Sequence, residues 1–165
     1  MKKNIKTLLF LVVTAIVMVS CKKEDFNGLS DVRPAVPVTV SNAIDYRPEP
    51  TVSTSIAAGG AIQIVLAIPA SSGRTIKEIT RIAISTTYTK IQGTTGLWNA
   101  APIPASGTTY TFNSSLTEYT SKGGGAVPPI STTAGTELTN RFYFMITLDD
   151  GTVLIPEAVR VLVTN

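Results

Sequence analysis

Histidine is absent from these 165 residues, and cysteine and tryptophan occur once each, as Cys21 and Trp98. Without histidine the chain lacks the commonest general base, proton shuttle and metal ligand. A Ser-His-Asp triad is excluded, as are zinc sites of the Cys/His type. The lone thiol has no partner for an intrachain disulfide. Charged residues make up only 15% of the chain. They form neither the basic stripe of a nucleic-acid binder nor the acidic block of a disordered tail. The longest apolar run falls short of the roughly 20 residues that a membrane-spanning helix needs.

What is present divides the chain in three. Lys2, Lys3 and Lys6 precede an apolar stretch from Thr7 to Val19, followed by the small residue Ser20. A basic start, a short apolar core and a small residue before the cut describe a secretory signal peptide over residues 1–20. Residues 21–34 are polar and read as a flexible tether. Residues 35–165 are long enough for one domain with a real core. Of the 14 basic residues, the three lysines lie in the signal, leaving 11 against 11 acidic ones. The precursor's positive charge therefore belongs to its leader.

Beyond the tether, threonine, serine, glycine, alanine and valine dominate, as in extracellular β domains. Val36, Val38 and Val40 alternate with Pro37 and Thr39, which predicts a half-buried edge strand. Ala61 to Ile68 predicts a second strand, with Ile62, Ile64, Leu66 and Ile68 on one face. Ile79 to Tyr88 predicts a third, with a short helical turn open as a reading of Thr75 to Thr80. Gln92 to Gly107 and Ser121 to Gly135 read as long loops, of the kind that is often functional. Thr109 to Phe112 alternates, and Leu116 to Thr120 reads as a short strand. Phe142, Phe144, Ile146 and Leu148 share one face of a strand that turns at Asp150-Gly151, a pair suited to a type I′ hairpin. Val153 and Ile155 return, Pro156 interrupts, and Val159, Val161 and Val163 alternate to the end. About seven short strands predict an all-β fold, a single antiparallel two-sheet sandwich. Its architecture resembles immunoglobulin-like or fibronectin type III-like domains, without the antibody disulfide.

The residues that could carry chemistry are few. Asp149 and Asp150 could offer oxygens to calcium, but Asp-Gly is also what a tight turn wants, and no metal site or cofactor is expected. The carboxylates of the domain sit in no glycosidase motif, so no catalytic residues are assigned and an enzyme is not expected. A glycan-active enzyme is a minor alternative. Trp98, in a glycine- and proline-rich loop, is the leading ligand-binding candidate, because an exposed aromatic ring can stack on a sugar face. Tyr88, Tyr110 and Tyr119 could assist. The competing reading places Trp98 in the end of the core.

Met18-Val19-Ser20-Cys21 resembles a lipobox, the motif after which lipoprotein signal peptidase cuts, although Met18 and Val19 depart from its usual Leu and Ala or Ser. The resemblance implies that Cys21 becomes a lipidated N-terminus and that the domain meets the membrane through that lipid, since several acyl chains anchor stably where one does not. Lys23-Glu24-Asp25 resembles the lipoprotein export signal of Bacteroidota. As a whole the chain resembles the small surface lipoproteins of that phylum. The family implies an outer-membrane lipoprotein, surface-exposed or alternatively periplasm-facing, that binds a polysaccharide or an envelope protein without catalysis. An adhesin-like role through strand addition is the structural alternative.

Overall fold

The computed structural model describes residues 34–129 and 135–165. The expected signal, Cys21 and nearly all of the expected tether lie outside the described residues. Among the described residues, no helix is long and apolar enough to cross a membrane.

The described chain is all-β in character. Its strands are β1 (Thr39–Val40), β2 (Thr51–Ser55), β3 (Ala61–Ala67), β4 (Ile76–Ser85), β5 (Ile103–Pro104), β6 (Thr109–Ser115), β7 (Thr136–Glu137), β8 (Arg141–Leu148), β9 (Val153–Leu154) and β10 (Arg160–Thr164). Two one-turn α-helices, α1 (Thr89–Gln92) and α2 (Leu116–Tyr119), a 3-10 turn (Ala70–Ser72) and a π-helical turn (Thr120–Gly124) complete it. Three sheets form, in the orders β1-β3-β6, β2-β10-β7 and β5-β4-β8-β9.

Alternation explains most of the packing. On β3, Ile62, Ile64 and Leu66 are buried while Ala61 and Gln63 are exposed. On β8, Phe142, Phe144, Ile146 and Leu148 are all fully buried. Phe112 of β6 meets Phe142 and Phe144 at ring-centroid distances of 5.5 and 5.6 Å. The inner face of the first sheet therefore packs on the inner face of the third. Each isoleucine buried there contributes on the order of 1.5–3 kcal/mol.

β4 departs from simple alternation, and the departure is structural. Register shifts fall between Ile76 and Glu78 and again between Ile79 and Arg81. Each extra residue is a bulge that resets which face the next side chain takes. Consequently Ile76, Ile79, Ile82 and Ile84 stand opposite Leu148, Ile146, Phe144 and Phe142 in turn. The strand therefore begins at Ile76, and the helical turn considered for Thr75 to Thr80 is absent; its spacing of three belongs to a bulged strand.

Other elements also correct the sequence reading. Leu116 to Tyr119 is helical, not a strand, because the Ser115 hydroxyl accepts a hydrogen bond from the Glu118 N–H at 3.1 Å. Ser115-Leu116-Thr117-Glu118 is thus an N-terminal cap with its acidic residue in the first turn. The turn at Asp149-Asp150-Gly151 is not type I′, which needs positive φ at both central residues. Among the described residues only glycines have positive φ, Gly151 at 85°. The Gly151 N–H donates to Leu148 O at 3.0 Å and the Leu148 N–H to Thr152 O at 2.9 Å, so a type I turn closes on a left-handed glycine.

The fold is not wholly antiparallel. β2, absent from the sequence reading, pairs in parallel with β10, from Thr51 opposite Arg160 to Ser55 opposite Thr164. Parallel neighbours need a long connection, and almost the whole domain lies between these two. Val159, Val161 and Val163 bury fully beside Val52. A bridge from Phe142 to Val159 links β8 to the segment leading into β10.

Candidate binding groove

Trp98 is held in the core. Its backbone N–H donates to Ile82 O at 2.7 Å, which fastens its loop to the edge of β4. Asn99 completes the attachment, accepting from the Ile82 N–H at 2.7 Å and donating to Thr80 O at 3.2 Å. The indole is 9% exposed and lies 5.6 Å from both Phe112 and Phe142. Lys122 covers it, with Nζ 5.3 Å from the ring centroid and bonded to Trp98 O at 2.9 Å. The two loops singled out in the sequence do meet, but they bury the ring. The stacking role first expected of Trp98 does not fit this packing; it closes the side of the core between β4 and β6.

The other aromatic candidates separate. Tyr119 is fully buried, and burial raises the pKa of its phenol while the Asn140 N–H holds it back in part. Tyr110 sits opposite Leu66 on β6 and packs against the core, and burial raises its pKa too. Neither ring is presented as a platform. Tyr88 alone among the four is exposed, at 45%.

Tyr88 borders a groove on the outer face of the third sheet, about 530 Å³ in volume, lined also by Glu49, Arg141, Tyr143, Pro156 and Glu157. Three features build it. First, α1 lies on this face, and its fully buried Ile91 packs with Ala83, Tyr143 and Ala158 into a small second core. Arg81 Nη1 donates to Gln92 O at 2.8 Å, placing a cation at the helix C-terminus. Second, the ring of Tyr88, just before α1, meets the ring of Tyr143 edge-on at 6.2 Å and 75°. Third, the chain bulges between β9 and β10. Leu154 pairs with Ile146, and Val159 bridges Phe142, so residues 155–158 span a stretch that β8 covers with 143–145. The extra residue pushes Pro156 and Glu157 out to form one wall, a common use of bulges.

Charge is placed in the groove as well. Arg141 Nε lies 3.0 Å from Glu49 Oε2, at ion-pair distance but without hydrogen-bond alignment. That oxygen is buried and has no hydrogen-bond partner among the described residues. Glu157 also lines the groove and is exposed. An exposed aromatic ring, a guanidinium and a carboxylate can together stack on an apolar sugar face and bond its hydroxyls.

A second groove, about 380 Å³, lies across the same bulge and is mainly apolar, lined by Val36, Val38, Tyr46, Pro50, Leu154 and Ile155. Asp149 and Asp150 are committed to their turn. Asp149 Oδ1 accepts from the Thr75 N–H at 3.2 Å, and Asp150 pairs with Arg74 at 3.1 Å. Among the described residues no cluster of three or more potential metal ligands occurs. Sequence reasoning missed Glu49, Arg141 and Tyr143. The signals for them were the outward position of Tyr143 on β8 and the strand break at Pro156.

Comparison with protein-family models, curated proteins and solved structures returns no match.

Proposed function

We propose that this chain is a membrane-anchored lipoprotein of the Bacteroidota type whose domain is a non-catalytic binding module of the cell envelope. The groove at Tyr88 and Tyr143 carries the binding reading: an exposed aromatic ring, a guanidinium and carboxylates converge there. Residues 18–25 carry the anchoring reading, with Cys21 as the lipid attachment site and the outer membrane surface as the location. The immunoglobulin-like sandwich is supported by the strand orders β1-β3-β6 and β5-β4-β8 and by parallel pairing of the first and last long strands.

Three experiments test it. Metabolic labelling with a palmitate analogue labels the wild type and spares Cys21→Ala; a protein that stays unlabelled defeats the lipoprotein reading. Proteinase K added to intact cells degrades a surface domain, whereas protection until the outer membrane is permeabilised places it in the periplasm. For the groove, Tyr88→Ala abolishes retention of the full chain on immobilised polysaccharide if the reading holds.

A structural role by strand addition is the second reading, and the outer edge of β6 favours it. The bonds from Ile68 N to Thr108 O and from Leu116 N to Gly60 O set the register. In that register the backbone groups of Thr109, Thr111 and Asn113 point away from β3. Nothing in Thr109–Ser115 is charged or proline, so the edge lacks the usual protection against pairing. Concentration-dependent association that Thr111→Pro abolishes is the sign of this role.

A further inference from the structure

Resting on the binding reading above, we infer that the groove selects neutral, hydroxyl-rich saccharides and rejects uronates, sulfated glycans and other anions. The charged residues lining it are Glu49, Arg141 and Glu157, beside the tyrosines Tyr88 and Tyr143. Their formal charges sum to one positive and two negative. The single cation is already matched, since Arg141 Nε stands 3.0 Å from Glu49 Oε2. Glu157, which also lines the groove, has no ion pair among the described residues. A bound anion would meet that carboxylate in the groove, and like-charge juxtaposition is a strong means of rejecting a ligand.

Neutral sugars meet the opposite situation. Arg141 has no hydrogen bond from its Nη groups among the described residues, so these donors remain for ring and hydroxyl oxygens. Glu157, exposed on the groove, is an acceptor for hydroxyl protons. The ring of Tyr88, steadied edge-on by Tyr143, offers its open face to the apolar side of a pyranose. Groove and ligand therefore match donor to acceptor without a net ionic attraction, and binding changes little with salt.

The test uses the full chain in detergent, with soluble neutral polysaccharides (a glucan, a mannan, a galactan and a xylan) set against polygalacturonate and dextran sulfate. We expect a neutral polysaccharide to bind, Tyr88→Ala to weaken it at least tenfold, and Tyr88→Phe to retain it. Glu157→Gln weakens neutral binding severalfold, and Glu157→Lys admits polygalacturonate. Circular dichroism confirms that each variant is folded. Tighter binding of polygalacturonate or dextran sulfate by the wild type, with dependence on Tyr88, overturns the selectivity and leaves the groove as the binding site. Neutral binding that is unchanged in Tyr88→Ala and in both Glu157 variants places the saccharide elsewhere and also overturns the inference. No retention of any saccharide overturns both the selectivity and the binding reading beneath it.

Discussion

The phenol of Tyr119 is bonded twice to the backbone of Asn140: it donates to the carbonyl oxygen at 3.3 Å and accepts from the N–H at 3.0 Å. Asn140 sits where the chain breaks between β7 and β8, so these backbone groups have left the ladder. A buried side chain replaces the missing strand partner, and Asn140 Nδ2 adds a bond to Gly124 O at 2.9 Å. The break is thus a built junction tying the helical segment after β6 to the start of β8.

Tyr119→Phe keeps the ring and removes both bonds. The expected loss is about 1–3 kcal/mol, because backbone groups beside the core lose their partner. Urea unfolding measures it; an unchanged midpoint would show that the junction does not depend on the hydroxyl.

Gly124 lies against the same ring. A Cβ there would stand 2.6 Å from Tyr119 Cδ2, Cε2 and Cζ. Gly124→Ala therefore forces the ring or the turn to move, costing about 1–3 kcal/mol as overpacking does. Combining it with Tyr119→Phe gives less than the sum of the two losses, because a ring displaced by the new methyl has already strained the bonds to Asn140 that Phe removes.

Trp98→Ala opens a large hole between β4 and β6, and the expected destabilisation is about 3–5 kcal/mol. Trp98 is also the sole tryptophan, so its fluorescence reports this site alone. Emission is blue-shifted and resists iodide in the folded protein, and it shifts red on unfolding. Strong quenching in the native state contradicts a buried indole.

Ser115→Ala removes the hydroxyl that accepts from the Glu118 N–H. The expected cost is about 1 kcal/mol, with Ser115→Asp restoring most of it. A thermal melt of the three proteins decides the matter.

Acid sensitivity comes from exposed turns. The Asp150 carboxyl is held below its ordinary value of 3.8, first by the Thr152 N–H, then by the Thr152 side chain and Arg74. The Asp45 carboxyl is held below it chiefly by the Tyr46 N–H. Carboxyls lowered by folding stabilise the native state above the unfolded value, and the contribution fades as pH falls through the folded one. Melting temperature therefore drops as pH goes from about 5 to about 3, and it drops less in Asp150→Asn. Equal drops in the two proteins would remove Asp150 from the account.

The strands that were legible in sequence were those with unbroken alternation. Ile62 to Leu66 and Phe142 to Leu148 announce both their type and their buried face. β4 was half legible, since its two bulges turn a period of two into a spacing of three that imitates a helix. β2 was missed because Thr51-Val52-Ser53-Thr54-Ser55 has one large apolar residue, and its threonines are buried by pairing with β10. The helix at Leu116 was signalled by Ser115 and Glu118, yet its β-friendly neighbours outweighed that cap. For the groove, Tyr88 could be named from sequence. Its companions could not, because Glu49, Arg141 and Glu157 come together only through the pairing of distant strands.

That pairing also sets how the domain bears a load. β2 lies near the start of the described domain and β10 ends it, and they run in the same direction through five matched residue pairs. A pull on the chain before β2, opposed by a pull on the chain after β10, draws the two strands past each other along their length. The backbone bonds between them must then fail together, whereas a hairpin pulled at its open end would peel apart one bond at a time. A module fixed at its leading end and tugged at its trailing one is resisted by shear, at the place where the chain closes on itself.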